Sequence, residues 1–274
     1  MNLDRFDLYE LCVQSPRHVA SFLRGVHPGR PTVLGEDFCG TAAVSRRWIA
    51  DADRLDEPGR AIAVDLDPEV LAKASSLNDA AATGDRVRLA RADCAASAPV
   101  SRDDAADVIF VGNFSIGYIH TRAQLLTYLR RTRARLALGN SGFGGGAFVC
   151  DTYGGATAFG LGGFERRHPS RGREVIRYAW QHETADPATS MVENSISFRV
   201  ELDGEVIAEL PRAFVYRWRL WSIAELREAM VEAGFARTAV YKDVNTPPGE
   251  RPEPVEPGAS LGEDWIVLVA AFLE

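Results

Sequence analysis

Two successive strand–turn–helix units constrain this chain more than any other feature. The first is Val33-Leu34-Gly35-Glu36-Asp37-Phe38-Cys39-Gly40-Thr41-Ala42-Ala43, an apolar lead-in that passes through two acids into a turn of mostly small residues. Val44-Ser45-Arg46-Arg47-Trp48-Ile49 then reads as a helix. In the second unit an apolar strand over 61–65 ends on Asp65, and Pro68 opens the following helix. A strand that ends in small residues and feeds a helix lets a ligand approach the backbone beside free N–H groups. An acid at the tip of the second strand of a βαβ unit is placed to accept both hydroxyl protons of an adenosine ribose. Asp65 lies 25 positions beyond Gly40, near the ~20 expected for such an acid.

The rest of the chain extends the pattern. Residues 4–24 read as one or two helices broken near Pro16. A third strand at 87–90 leads into Arg91-Ala92-Asp93-Cys94, and a fourth at 107–111 ends on Gly112-Asn113-Phe114-Ser115. Helical spacing of Leu125, Leu126, Leu129 and Leu136 covers 121–138, residues 142–146 close that unit, and 147–151 is a fifth strand. Strands separated by helices predict a parallel, doubly wound sheet. From about Glu174 the apolar residues alternate with period two, and Asp203-Gly204 signals a hairpin. Ser222 and Glu225 form a capping-box pattern for a helix ending at Gly234. Strands at 237–242 and 265–272 complete the chain around a Pro- and Gly-rich loop, 245–262. The expectation is an α/β protein with a Rossmann-like, seven-stranded doubly wound sheet and an antiparallel β insertion of three or four strands after strand five. It divides into a helical cover (1–30), a cofactor-binding core (31–155), the insertion (156–221) and a closing helix with two strands (222–274).

The Glu36–Ala42 turn, the Val64-Asp65-Leu66-Asp67-Pro68 acid and Arg91-Ala92-Asp93-Cys94 together resemble the class I S-adenosylmethionine-dependent methyltransferases over roughly residues 30–155. The resemblance implies that fold and the cofactor S-adenosyl-L-methionine, leaving as S-adenosyl-L-homocysteine. It implies Glu36 at the methionine end, Gly40 at the close backbone approach, and Asp65 on the ribose with Leu66 beside it. Asp93 falls where the adenine amino group is received, and the Cys94 N–H faces a ring nitrogen. Phe38 and Ala42 replace the first and last glycines of the family's turn. An N-terminal helix often covers the cofactor in this family, which makes Tyr9 and Gln14 lid contacts. Asn113 ends the fourth strand at the edge where ligands sit in open α/β sheets, a candidate contact to both cofactor and acceptor. Tyr118 and His120 join Asn113 as candidate catalytic groups, since a histidine can act as a base near neutral pH. Tyr153 and Arg217, with Arg219 beside it, are candidate substrate contacts.

Composition narrows the partners. The chain has 274 residues and a net charge of −7, with no basic block, so nucleic acid is not expected. Four dispersed cysteines without CxxC spacing argue against zinc and a disulfide framework, and no metal cluster stands out. No apolar run approaches ~18 residues and no secretory signal opens the chain, so a cytoplasmic protein without membrane contact is expected. The acceptor is expected to be a small molecule methylated at N or O by in-line displacement. A homodimer would pair through the edges of the insertion. Protein or RNA methylation and a non-catalytic cofactor-binding subunit remain alternatives. A nicotinamide oxidoreductase would need G-x-G-x-x-G at the first turn, which Phe38 and Ala42-Ala43 do not supply.

Overall fold

The computed structural model describes residues 4–96, 105–139, 145–170 and 172–274. The closure expected at 142–146 lies mostly outside them. Helices α1 (Arg5–Cys12) and α2 (Pro16–Val26) come first, with Pro16 at the start of α2 as its fixed φ favours. Strands β1 (Val33–Asp37), β2 (Arg60–Asp65) and β3 (Val87–Arg91) alternate with α3 (Ala43–Leu55) and α4 (Pro68–Ala80). Then come β4 (Val108–Val111), α5 (Arg122–Arg135) and β5 (Ala147–Gly155). An antiparallel sheet of β6 (Gly162–Pro169), β7 (Glu174–Asp186), β8 (Met191–Leu202) and β9 (Glu205–Arg219) interrupts the pattern. It resumes with α6 (Ile223–Glu232), β10 (Arg237–Tyr241) and β11 (Asp264–Phe272). The large sheet runs β3-β2-β1-β4-β5-β11-β10, parallel except that β11 is antiparallel to both its neighbours.

Period-two alternation decides which side chains face which layer. Leu34, Val108, Phe110 and Val149 pack against Phe22 of α2 and Trp48 of α3 on one face. Ile109, Val111, Phe148 and Cys150 meet Leu125 and Leu129 of α5 and Met230 of α6 on the other. The same rule sends the adjacent acids of β1 apart. Glu36 turns to α3, where it accepts from Ser45 (2.8 Å to N), and Asp37 turns to α5, where Arg135 and Tyr128 hold it.

Two boundaries differ from the sequence reading. The helix expected to reach residue 138 stops at Arg135, because Ala106 takes over its backbone bonds: Ala106 N–H donates to the Arg135 carbonyl and Ala137 N–H to the Ala106 carbonyl, both 2.9 Å. The first strand of the insertion begins at Gly162, ahead of the period-two alternation read from about Glu174. Strand β6 is solvent-exposed over most of its length and carries Glu165, Arg166 and Arg167, so it has no apolar alternation to detect. The inner face of this second sheet gathers Ile176, Tyr178, Ile196, Phe198, Tyr216 and Trp218 into a core of its own, with Leu8 of α1 packed on it. Its position beside Phe114 and Tyr153 sets it over the ends of β4 and β5.

Candidate active site

The turn after β1 has left-handed backbone at every second residue: Phe38 (φ +55°), Gly40 (φ +55°) and Ala42 (φ +58°). Glycine takes this conformation freely, whereas a residue with a Cβ is strained by about 1–2 kcal/mol. Phe38 and Ala42 therefore hold a left-handed backbone that glycine would take without strain. At Gly40 an added Cβ would meet no heavy atom within 4 Å, so the backbone is open to close approach on that side. Cys39 N–H bonds the Val64 carbonyl (2.9 Å), tying the turn to β2. Asp65 closes the arrangement: one carboxylate oxygen accepts from Gly40 N–H (2.8 Å) and the other from Asp67 N–H (3.0 Å). Asp67 itself caps α4 through Glu69 N–H (2.8 Å). Leu66, 58% exposed, lies beyond Asp65 as an apolar surface with nothing packed over it. Asp93 is exposed and accepts from Ala95 N–H (2.9 Å), and the buried Cys94 thiol points to the Val64 carbonyl (3.8 Å).

Glu36 is buried beneath this turn at the start of α3. Desolvation pushes its carboxyl up to about 7, against the opposing effect of the Ser45 hydrogen bonds and Arg46. A carboxyl held above its unfolded value stabilises the fold fully below about pH 4, and that contribution is lost as pH rises through about 7. Wild-type thermal stability is therefore expected to fall between pH 5 and pH 8, and Glu36→Gln to remove about 1–3 kcal/mol of that fall. Thermal denaturation of both proteins across this range checks it, and identical slopes would refute it.

Helix α1 covers the turn. Glu10 accepts from Thr41 Oγ1 and from Arg46 (2.5 Å), while Lys73 of α4 reaches Asp4 (2.8 Å) and Asp7 (2.7 Å). Tyr9, the next residue along, lies in the wall of a different feature. A cavity of about 890 Å³ opens between the second sheet and the ends of β4 and β5. Its wall is aromatic: Tyr9 and Tyr216 both line it, Phe114 packs edge-on to Tyr153 (4.8 Å), and Tyr216 stacks on Trp218 (4.5 Å). Asn113 and Asp151 also line it. Asp151 accepts from Asn113 N–H (2.9 Å) and Phe114 N–H (2.7 Å), bracing two consecutive left-handed residues (φ +55° and +61°). Loss of solvent pushes the Asp151 carboxyl up to about 7, against those two hydrogen bonds.

The sequence-derived candidates thus divide. Glu36, Phe38, Gly40, Asp65 and Leu66 gather at the first turn, with Asp93 and Cys94 after β3. Asn113, Tyr9 and Tyr153 line the aromatic cavity. Tyr118 bridges the two, its ring stacked at 6.1 Å on Phe38 and edge-on at 6.1 Å to Trp218. Partial desolvation pushes the phenols of Tyr153 and of Tyr118, itself 42% exposed, up to about 12, which keeps both as neutral hydrogen-bond donors. His120 stands apart from the cavity lining, its Nε2–H donating to the Arg217 carbonyl (2.9 Å), and the Arg217 side chain is on the exposed face of β9. Arg219 is likewise turned away, donating to the His120 carbonyl (3.2 Å) and Glu225 (3.1 Å). The histidine that does line the cavity is His182 of β7, pushed down by burial and thus neutral at physiological pH. Asp151 and His182 were not singled out in the sequence. Asp151 is legible as an acid ending strand five, the same signal that marked Asp65, whereas His182 is one alternating residue among several.

The strand order 3-2-1-4-5 followed by an antiparallel hairpin-like pair is the class I methyltransferase fold, here with a four-stranded insertion after β5. Among solved structures the chain is similar to DesVI of Streptomyces venezuelae, with a TM-score of 0.68, 15% identity and all of both chains covered. It is also similar to SAM-bound CalS10, an amino pentose methyltransferase of Micromonospora echinaspora (TM-score 0.64, 17% identity, 99% of this chain and 98% of that one). A third is the sugar N-methyltransferase KedS8 of Streptoalloteichus sp. ATCC 53650 (TM-score 0.63, 17% identity, 100% and 95%). No family model matches the chain, and no curated protein matches it. Among the described residues no helix is long and apolar enough to cross a membrane.

Proposed function

We propose that this protein is an S-adenosylmethionine-dependent methyltransferase that methylates the nitrogen of a small amine. The observation that carries the reading is the pairing of two features at neighbouring strand ends: the Gly40–Asp65 turn and an aromatic cavity that contains the carboxyl of Asp151. The turn suits the cofactor, because an open glycine backbone, a carboxylate at the tip of β2 and an uncovered Leu66 match an adenosine's ribose and ring. When bound, S-adenosylmethionine supplies a methyl group already activated by a positively charged sulfur. Asp65 would hold the ribose hydroxyls, Glu36 would support the methionine end, and Asp93 with the Cys94 N–H would hold the adenine.

The cavity favours nitrogen over oxygen on physical grounds. Aromatic faces such as Trp218 and Tyr216 attract an ammonium, and Asp151 can hold it by charge. An aliphatic ammonium titrates near ~10 in water and lower when desolvated, within reach of a carboxylate base at about 7. An alcohol is far too weak an acid for the same base. Holding the freed amine against the methyl group supplies most of the remaining acceleration, ~7–11 kcal/mol in well-oriented systems. The similarity to a sugar N-methyltransferase and an amino pentose methyltransferase supports an amine on a sugar-sized ring as the acceptor. Val206, Ile207 and Val215 are exposed on β9, an edge strand of the second sheet, which supports a homodimer paired there.

The test is incubation with S-adenosylmethionine and a panel of aminosugars, each beside its hydroxyl analogue, followed by mass spectrometry. Methylation of amines with stoichiometric S-adenosylhomocysteine is expected. Methylation confined to the hydroxyl analogues, or of no acceptor, would overturn the reading.

A further inference from the structure

A second cavity, of about 780 Å³, lies on the outer side of α2 and α3, where residues 27–31 lead into β1 and the segment 245–251 closes the far wall. Six arginines line it: Arg17, Arg24, Arg30, Arg47, Arg54 and Arg251. Only three carboxylates do, Asp51, Glu57 and Glu250, in a chain whose net charge is −7. The neutralisation is incomplete. Asp51 is shared between Arg47 and Arg54, 2.7 Å from each, and Glu57 reaches Arg24 at 3.7 Å. Arg17 and Arg30 have no carboxylate within ion-pair distance among the described residues, and the Nε atoms of Arg24 and Arg47 are buried without an acceptor. A concave surface with this imbalance focuses a positive potential that the acidic remainder of the molecule does not share.

The wall is fixed in place. Ser21 Oγ donates to the Thr246 carbonyl (3.0 Å) and Arg251 to the Pro28 carbonyl (2.7 Å). Gly25 permits the approach, since a Cβ there would lie 2.5 Å from the Glu250 carbonyl oxygen. The lining contains no Phe, Tyr or Trp side chain to offer a broad stacking platform for a nucleobase, and its aromatic rings are the imidazoles of His18 and His27. Arginine forks suit phosphate oxygens in bidentate geometry.

We propose that this cavity binds a small phosphate-bearing anion, at a site separate from the cofactor turn and the aromatic cavity. The segment that closes it continues directly from Lys242, Asp243 and Val244, which line the aromatic cavity, so an occupant would rest on a wall shared with the acceptor site.

Inorganic pyrophosphate is the probe, titrated calorimetrically at constant ionic strength into the wild type and an Arg17→Gln/Arg30→Gln variant. Saturable binding by the wild type is expected, weakened roughly tenfold for each arginine removed. S-adenosylhomocysteine binding, measured in parallel, is expected to be equal in the two proteins, which shows that the variant is folded. No saturable binding by the wild type, or equal binding by the variant, would overturn the proposal. So would a single-stranded RNA oligonucleotide that binds tighter than pyrophosphate and is lost in the same variant, since that would assign the cavity to nucleic acid.

Discussion

Asp151→Asn is expected to lower kcat/KM for an amine acceptor by ~10²–10⁴-fold, the range spanned by general-base catalysis. The carboxyl lies in the aromatic cavity, and desolvation pushes it up to about 7, so it changes protonation across the working range. The wild-type rate should accordingly rise as pH increases through about 7, when the deprotonated carboxylate becomes available to take the amine's proton. The asparagine variant should lack that limb. Asp151 also braces the backbone of Asn113 and Phe114, and an amide can accept from only one of the two N–H groups. The structural part of its effect is about 1–3 kcal/mol for the donor left unsatisfied. It would appear as a lower Tm and a pH-independent loss of rate. Steady-state rates from pH 5.5 to 9 separate the two effects. A variant within threefold of wild type, or one that keeps the rise near pH 7, would remove Asp151 from the chemistry.

Arg135→Ala is expected to destabilise the protein by about 3–5 kcal/mol, a larger effect than any surface ion pair here can produce. Asp37 at the end of β1 has a fully buried side chain. Arg135 grips it with two parallel hydrogen bonds of 2.8 Å, and the Tyr128 hydroxyl donates a third at 2.8 Å. Removing the guanidinium leaves a carboxylate in the core with one neutral partner, so the cost is that of an uncompensated buried charge. Because Asp37 directly precedes the turn, cofactor affinity is expected to fall with stability. Arg135→Lys keeps the charge but loses the fork, and should fall between the two. Urea denaturation of the three proteins measures this directly, and a loss under 1 kcal/mol in the alanine variant would contradict it.

Much of the parallel core was legible in the sequence because its signals are local. Short apolar runs, the Ser222–Glu225 cap and Gly234 after α6 each depend on residues within a few positions of one another. The Asp37–Arg135 pair is different: 98 positions separate its members, and the alternation of Glu36 and Asp37 says only that they need partners on opposite faces. His120 is close in sequence to Asn113, yet β9 captures it. His182 reaches the cavity through a hairpin whose register no local pattern sets. Phe38 and Ala42 teach the reverse lesson. They read as a departure from the glycine-rich turn, but the backbone bends left-handed there all the same. Strand β6 stayed hidden because an exposed, charged edge strand carries no apolar period.

The proposed methyl transfer rests on the cofactor assignment at Gly40 and Asp65. Calorimetric titration with S-adenosylhomocysteine tests it most directly, in the wild type beside Asp65→Ala and with NADH as comparison. Two charge-assisted hydrogen bonds to the ribose would be lost, about 3 kcal/mol or more in total. The expected result is micromolar binding by the wild type, at least ~100-fold weaker binding by the variant, and no response to NADH. A folded wild type that does not bind, or binding indifferent to Asp65, would contradict it.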